Sequence, residues 1–144
     1  MIAPTTPEAA RRIAENLRDD DRHSLAACEY QPAAEAYETA IKSPFSWVVY
    51  AKDGEPVSMF GAERDPGVSW GLAWMFTTPN SIKAPREIVT GVLVVIDYSR
   101  RFWAELRISH EPRSVRQMRF LAMVGFKEVS RYEENGMTFI EMAV

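Results

Sequence analysis

The sequence predicts a mixed α/β domain built around a central sheet, and three observations carry that prediction. Apolar residues near the start recur at helical spacing, with Ala10, Ile13, Ala14 and Leu17 on one stripe. The period then changes: Phe45 to Ala51 is rich in aromatic and β-branched residues. Two turn dipeptides, Asp53-Gly54 and Asn135-Gly136, each separate apolar runs and mark hairpins. A chain of 144 residues forms one domain by its length, spanning 1–144.

The elements follow in order. The first 17 residues read as a helix, because Thr5-Thr6-Pro7-Glu8 offers a hydroxyl cap, a first-turn proline and an acid at the positive helix end. Asp19-Asp20-Asp21 breaks that pattern. Three adjacent acids fit a metal or a basic partner, but a solvated loop is the more ordinary reading. Pro32 opens a second helix with Ala33, Tyr37, Ala40 and Ile41 on one face. Phe45 to Ala51 and Val57 to Gly61 pair as a hairpin. Val68 to Thr77 is a third strand, with Trp70, Leu72 and Trp74 on one side and Ala73 and Met75 on the other, so it is covered on both faces. A loop at Thr78-Pro79-Asn80-Ser81 leads to a helix opened by Pro85, with Ile88, Val92, Val95, Ile96, Phe102 and Trp103 inward. Val92 to Ile96 also suits a strand, but Asp97, Arg100 and Arg101 continue a polar helical face. Ala104 to Ser109 is a short strand. Arg113 to Val124 is a helix with Val115, Met118, Leu121 and Ala122 inward, stopped by Gly125. Lys127 to Tyr132 and Met137 to Val144 close the domain as a hairpin.

Composition excludes several classes. Hydrophobic residues make up 47% and charged residues 26%, which rules out a disordered chain or a disulfide scaffold. Cys28 is the single cysteine, so the expected compartment is a reducing cytoplasm. It sits in an apolar setting and reads as structural rather than reactive. No apolar run reaches the ~20 residues that span a bilayer, and no signal peptide is expected. One cysteine and two histidines make a dedicated metal site unexpected. Charge is uneven: residues 1–65 carry a net of -5 and residues 100–131 a net of +5. Arg113, Arg116 and Arg119 are spaced by three along one helix. That stripe is either a solvated outer face or a binder of phosphate or of an acidic protein. A pI near 5.5 argues against nucleic acid.

Strand, then a helix ending in Gly-Phe, then a hairpin resembles the C-terminal half of the GNAT (Gcn5-related N-acetyltransferase) superfamily. The residues that carry this are Ser114-Val115-Arg116-Gln117-Met118-Arg119-Phe120-Leu121-Ala122-Met123-Val124-Gly125-Phe126. The opening Pro4-Thr5-Thr6-Pro7-Glu8-Ala9-Ala10 and the hairpin Lys52 to Gly61 are similar to that family's too. The whole order resembles small, divergent GNAT-like proteins encoded by tailed bacteriophages. The resemblance implies a mostly antiparallel mixed sheet flanked by helices, parted in the middle to form a cleft for acetyl-CoA. It implies transfer of an acetyl group to an amine of a small molecule or protein, in the cytoplasm of a host cell if phage-encoded. The alternative it implies is a catalytically degenerate protein that binds and modulates a bacterial host enzyme; a virion component is a weaker third reading.

The same resemblance assigns site residues. Trp74, Met75, Phe76 and Thr77 line the cofactor cleft, with Lys83, Arg86, Ser114 and Arg116 as further cofactor contacts. The family's phosphate loop maps to residues 77–86, which hold no glycine and two prolines, Pro79 and Pro85, without an N–H. The usual acid, a tyrosine four residues before the helix-ending glycine, is Leu121 here, and Ser114 stands where an asparagine is common, its hydroxyl partly replacing that side chain, so that the resemblance also counts Ser114 among the catalytic residues. Glu63 and His110 are the candidate bases. Their bland readings are a solvated hairpin-end charge and a strand-end histidine. Trp70 and Trp74 suit either core packing or stacking on a ring.

Overall fold

A computed structural model describes residues 1–112 and 114–144. Arg113, the first of the three spaced arginines, lies outside the described residues. The strands are β1 (Ile2–Pro4), β2 (Phe45–Tyr50), β3 (Pro56–Arg64), β4 (Gly71–Thr77), β5 (Leu106–His110), β6 (Lys127–Glu134) and β7 (Met137–Ala143). The helices are α1 (Pro7–Ala14), α2 (Asp19–Ala27), α3 (Pro32–Lys42), α4 (Pro85–Ser99) and α5 (Val115–Met123), with a 3₁₀ turn at Pro79–Lys83. One sheet runs in the order β1-β2-β3-β4-β5-β7-β6, antiparallel except where β4 meets β5. This is the mixed, mostly antiparallel sheet that the resemblance implies.

Strand alternation sorts the core into two layers. Val49, Phe60 and Ala62 face α4 and α5, where Ile88, Val92, Val95, Ile96 and Leu121 complete a cluster. Val48, Met59, Trp74 and Phe76 face the other way, against Ala10, Ile13, Ala36 and Ala40 of α1 and α3. The glycine turns behave as their dipeptides require. Gly54 has φ 84°, and Asn135 and Gly136 have φ 53° and 77°, which residues with a Cβ other than Asn or Asp resist.

Several elements differ from the sequence expectation, each for a physical reason. The first helix is shorter than expected, because residues 2–4 add a strand to the edge of β2. Thr6 then caps α1 by accepting from the Ala9 N–H at 3.2 Å. Asp19-Asp20-Asp21 is no loop: it forms the first turn of α2, where carboxylates meet the positive helix end. β4 begins at Gly71 rather than Val68, and β5 at Leu106 rather than Ala104. On α3, Ile41 is exposed and Ala36 takes the inward place. On α5, Val115 and Ala122 are exposed, and Gln117 is buried beside Leu121. Phe102 lies beyond the end of α4 and is exposed, while Trp103 is buried.

Candidate functional site

The site begins where two strands part. β4 and β5 run parallel and, among the described residues, pair only at Gly71↔Leu106 and Leu72↔Arg107. β4 then continues to Thr77 and β5 to His110 with no further pairing among the described residues. Gly71 makes the closed end tight. A Cβ there would come within 2.7 Å of the Trp103 ring and 2.8 Å of Leu106. Arg107 rivets the same end, stacking 3.6 Å over Trp70 and pairing with Glu105 and Glu141.

The open wedge exposes one edge of β4. Thr78 N–H donates to the Val57 carbonyl at 3.0 Å, and the Ser58 hydroxyl donates to the Phe76 carbonyl at 3.4 Å. Even-numbered positions therefore turn their main chain toward β3. Met75 and Thr77 turn theirs into the wedge.

Two cavities open on opposite faces of the sheet. One, of about 210 Å³, lies under α2 and is floored by Trp74, Phe76 and Phe139, with His110 and Ser114 on its wall. The other, of about 250 Å³, lies between the start of α4 and α5, lined by Thr77, Ser81, Arg18 and Arg116. Met75 and Gln117 line both. The wedge is thus the place where the two sides meet.

Four residues tie that meeting point together. The Arg18 N–H donates to the Thr77 carbonyl at 2.8 Å, and the Thr77 N–H donates to Asp21 Oδ2 at 2.8 Å. Arg18 Nε donates to Asp21 Oδ2 at 3.2 Å, and Arg18 Nη2 donates to Gln117 Oε1 at 2.5 Å. The Asp21 side chain is only 10% exposed. Burial outweighs Arg18 and the Thr77 N–H, and pushes its carboxyl up to about 6. Arg18 lines only the α4–α5 cavity and Asp21 only the α2 cavity. The ion pair therefore straddles the wedge.

The sequence-predicted residues divide. Trp74, Met75, Phe76, Thr77, His110, Ser114 and Arg116 all line one or both cavities. The Ser114 hydroxyl donates to Asp20 Oδ2 at 2.9 Å. His110 is buried; Nδ1 lies 3.1 Å from the Glu111 carbonyl and Nε2 3.3 Å from Met142 Sδ. Burial lowers its pKa, so the ring favours the neutral form. Glu63 sits on β3 opposite Leu72, at the closed end, and lines neither cavity. Burial and the nearby Glu35 and Asp65 raise its pKa. Lys83 is held by Asp53 at 3.2 Å and Glu55 at 2.9 Å, away from both cavities. Arg86 is exposed in the first turn of α4, outside the cavity walls.

Residues 77–86, which the resemblance maps to a phosphate loop, are not glycine-rich. Residues Pro79–Lys83 form a 3₁₀ turn, and Pro85 starts α4. Ile88 N–H already donates to the Ala84 carbonyl. That leaves the Arg86 and Glu87 N–H groups at the helix entry. Leu121 is 2% exposed inside the core and puts no hydroxyl at the wedge. Arg18 and Gln117 are not sequence candidates, and Asp21 is one only as part of the acid run. The one sequence signal was the acid run itself, which belongs at a helix start.

No protein-family model matches the chain, and no curated protein does. Solved structures match over nearly all of it. An acetyltransferase (GNAT family) from Bacillus anthracis aligns at TM-score 0.73 and 10% identity, covering 99% of this chain and 92% of that one. The GNAT domain of S. lividans PAT aligns at 0.74 and 11%, covering 99% and 88%. A GNAT superfamily phosphinothricin acetyltransferase from Sinorhizobium meliloti, in complex with AcCoA, aligns at 0.74 and 13%, covering 100% and 86%. The chain has the GNAT fold. No helix among the described residues is long and apolar enough to cross a membrane.

Proposed function

We propose that the protein is an N-acyltransferase that moves an acetyl group from acetyl-CoA to an amine. The carrying observation is the wedge: two cavities on opposite sheet faces that meet at Met75 and Gln117. A transfer between two substrates needs such a meeting point, with each substrate approaching from its own side. Acetyl-CoA is assigned to the α4–α5 side. Arg116 lines that cavity, the Arg86 and Glu87 N–H groups at the α4 start lie between its lining residues Pro85 and Ile88 in the chain and suit phosphates, and the Met75 main chain faces the wedge where a thioester would lie. Ser114 contributes to the wall of the facing cavity instead. The amine is assigned to the α2 side, which has an apolar floor and, on its wall, His110, whose ring favours the neutral form and is taken as the base. Glu63 would act only through a chain of waters. Isothermal titration with acetyl-CoA tests the assignment. A saturable heat at about 50 µM protein supports it, and a flat trace overturns it.

A second reading is favoured by the same loop. A segment without glycine, with Lys83 committed to two carboxylates, is a poor phosphate cradle. On that reading the chain keeps the fold without the chemistry and binds a bacterial host enzyme. The phage resemblance and the host cytoplasm belong to this proposal. A flat acetyl-CoA titration together with a stoichiometric complex with one purified host enzyme would establish it; failure to form any such complex would sink it.

A further inference from the structure

We infer that Arg18 is the group that stabilises the leaving sulfur, in place of a tyrosine acid. The inference rests on the transferase reading above. In the transfer, the neutral amine forms a new C–N bond to the thioester carbonyl. The C–S bond breaks with its electron pair remaining on sulfur. The surplus N–H proton passes to His110 on the amine side and from there through solvent to the thiolate, giving an amide and a free thiol. Negative charge therefore develops on sulfur, on the donor side of the meeting point.

Arg18 is placed for that charge. It lines the donor-side cavity together with Met75 and Gln117, the two residues common to both cavities. Its guanidinium is 2.5 Å from Gln117 Oε1, so it stands at the junction itself. Its side chain is 16% exposed, in surroundings where a charge acts strongly. It is also held rigid: the main chain is bonded to Thr77 and the side chain to Asp21 and Gln117. A preorganised cation needs no rearrangement as the charge forms. Arg116 lines the same cavity from an exposed position on α5, and Leu121 has nothing to donate. A guanidinium stays protonated at any working pH, so Arg18 stabilises the thiolate without acting as an acid. Asp21 and Gln117 are positioning residues that aim it.

The test reads the thiol without needing the amine. Free CoA is titrated into the protein in a Cys28→Ser background, which removes the protein's own thiol. The thiolate absorbance of bound CoA is followed against pH, with desulfo-CoA as the blank. The thiol is expected to titrate about one unit or more below that of free CoA. Arg18→Gln should abolish the shift and, by linkage, weaken CoA binding most where the thiolate is populated, and Arg18→Lys should restore part of both. An unshifted thiol in the parent protein, or a shift that survives Arg18→Gln, overturns the role of Arg18 and leaves CoA binding standing. Absence of any CoA binding overturns the transferase reading, and this inference with it.

Discussion

Asp21 carries a carboxyl that titrates near 6 in the folded chain and at 3.8 in its ordinary state. The sign follows from linkage. A raised folded pKa means the native state holds its proton longer, so the associated stability is present below 3.8 and lost as pH rises through 6. The size is about 3 kcal/mol for a shift of this order. Asp21→Asn removes the titration. Urea unfolding of both proteins between about pH 3.5 and 7 should show the parent losing about that much relative to the variant. A constant difference across the range would mean that Arg18 and the Thr77 N–H offset the burial and the carboxyl is not raised. Gly61 poses a purely steric case. A Cβ there would stand 1.8 Å from the Phe45 carbonyl and 2.7 Å from the Trp74 ring. Neither the β2 backbone nor a buried indole moves cheaply. Gly61→Ala should cost about 1–3 kcal/mol, read as a lower urea midpoint at unchanged slope.

At the scale of elements, the hairpins and most helices were legible because their signals are local. Asp53-Gly54 and Asn135-Gly136 announce their own turns, and Ala10, Ile13, Ala14 and Leu17 announce their own stripe. What was not legible depends on distant partners. Residues 2–4 are too few to show a period, and only β2, more than forty residues on, makes them a strand. Asp21 looks like a solvated acid until Thr77 is brought to its side chain. Arg18 carries no motif, and its partner Gln117 lies 99 residues away. Arg116 and Lys83 looked alike in sequence, yet their elements separate them. The α5 helix puts Arg116 on a cavity wall, and the 3₁₀ turn hands Lys83 to Asp53 and Glu55. Arg116→Gln is therefore expected to weaken acetyl-CoA binding about tenfold, and Lys83→Met less than about twofold. Titration calorimetry checks both, and the reverse order would place the phosphates on the turn instead.

At the scale of the molecule, the wedge divides the sheet into unequal parts. β1 to β4 form one antiparallel stretch, and β5, β7 and β6 form another. The ladder between them is two register pairs long, whereas β3 and β4 share seven. The smaller part ends in β6, which is exposed along its whole length. What holds it to the larger part is therefore side-chain packing, through Leu106, Ile108, Leu121 and Phe126 in the α4–α5 layer, together with side-chain bridges from Arg18 to Gln117, from Ser114 to Asp20 and from Asn135 to the Ala27 carbonyl. Packing of this kind opens as a cooperative unit when few backbone bonds cross the boundary. Native-state hydrogen exchange in low urea should show amides of β5, α5, β6 and β7 opening together, at lower free energy than those of β2 and β3. A ligand seated in the wedge touches both parts. At about a hundredfold its Kd it adds roughly 2.7 kcal/mol to every opening that empties the site. Acetyl-CoA should therefore raise protection across the smaller part as a block. Protection confined to α4 would show that the ligand binds one arm of the wedge without bridging it.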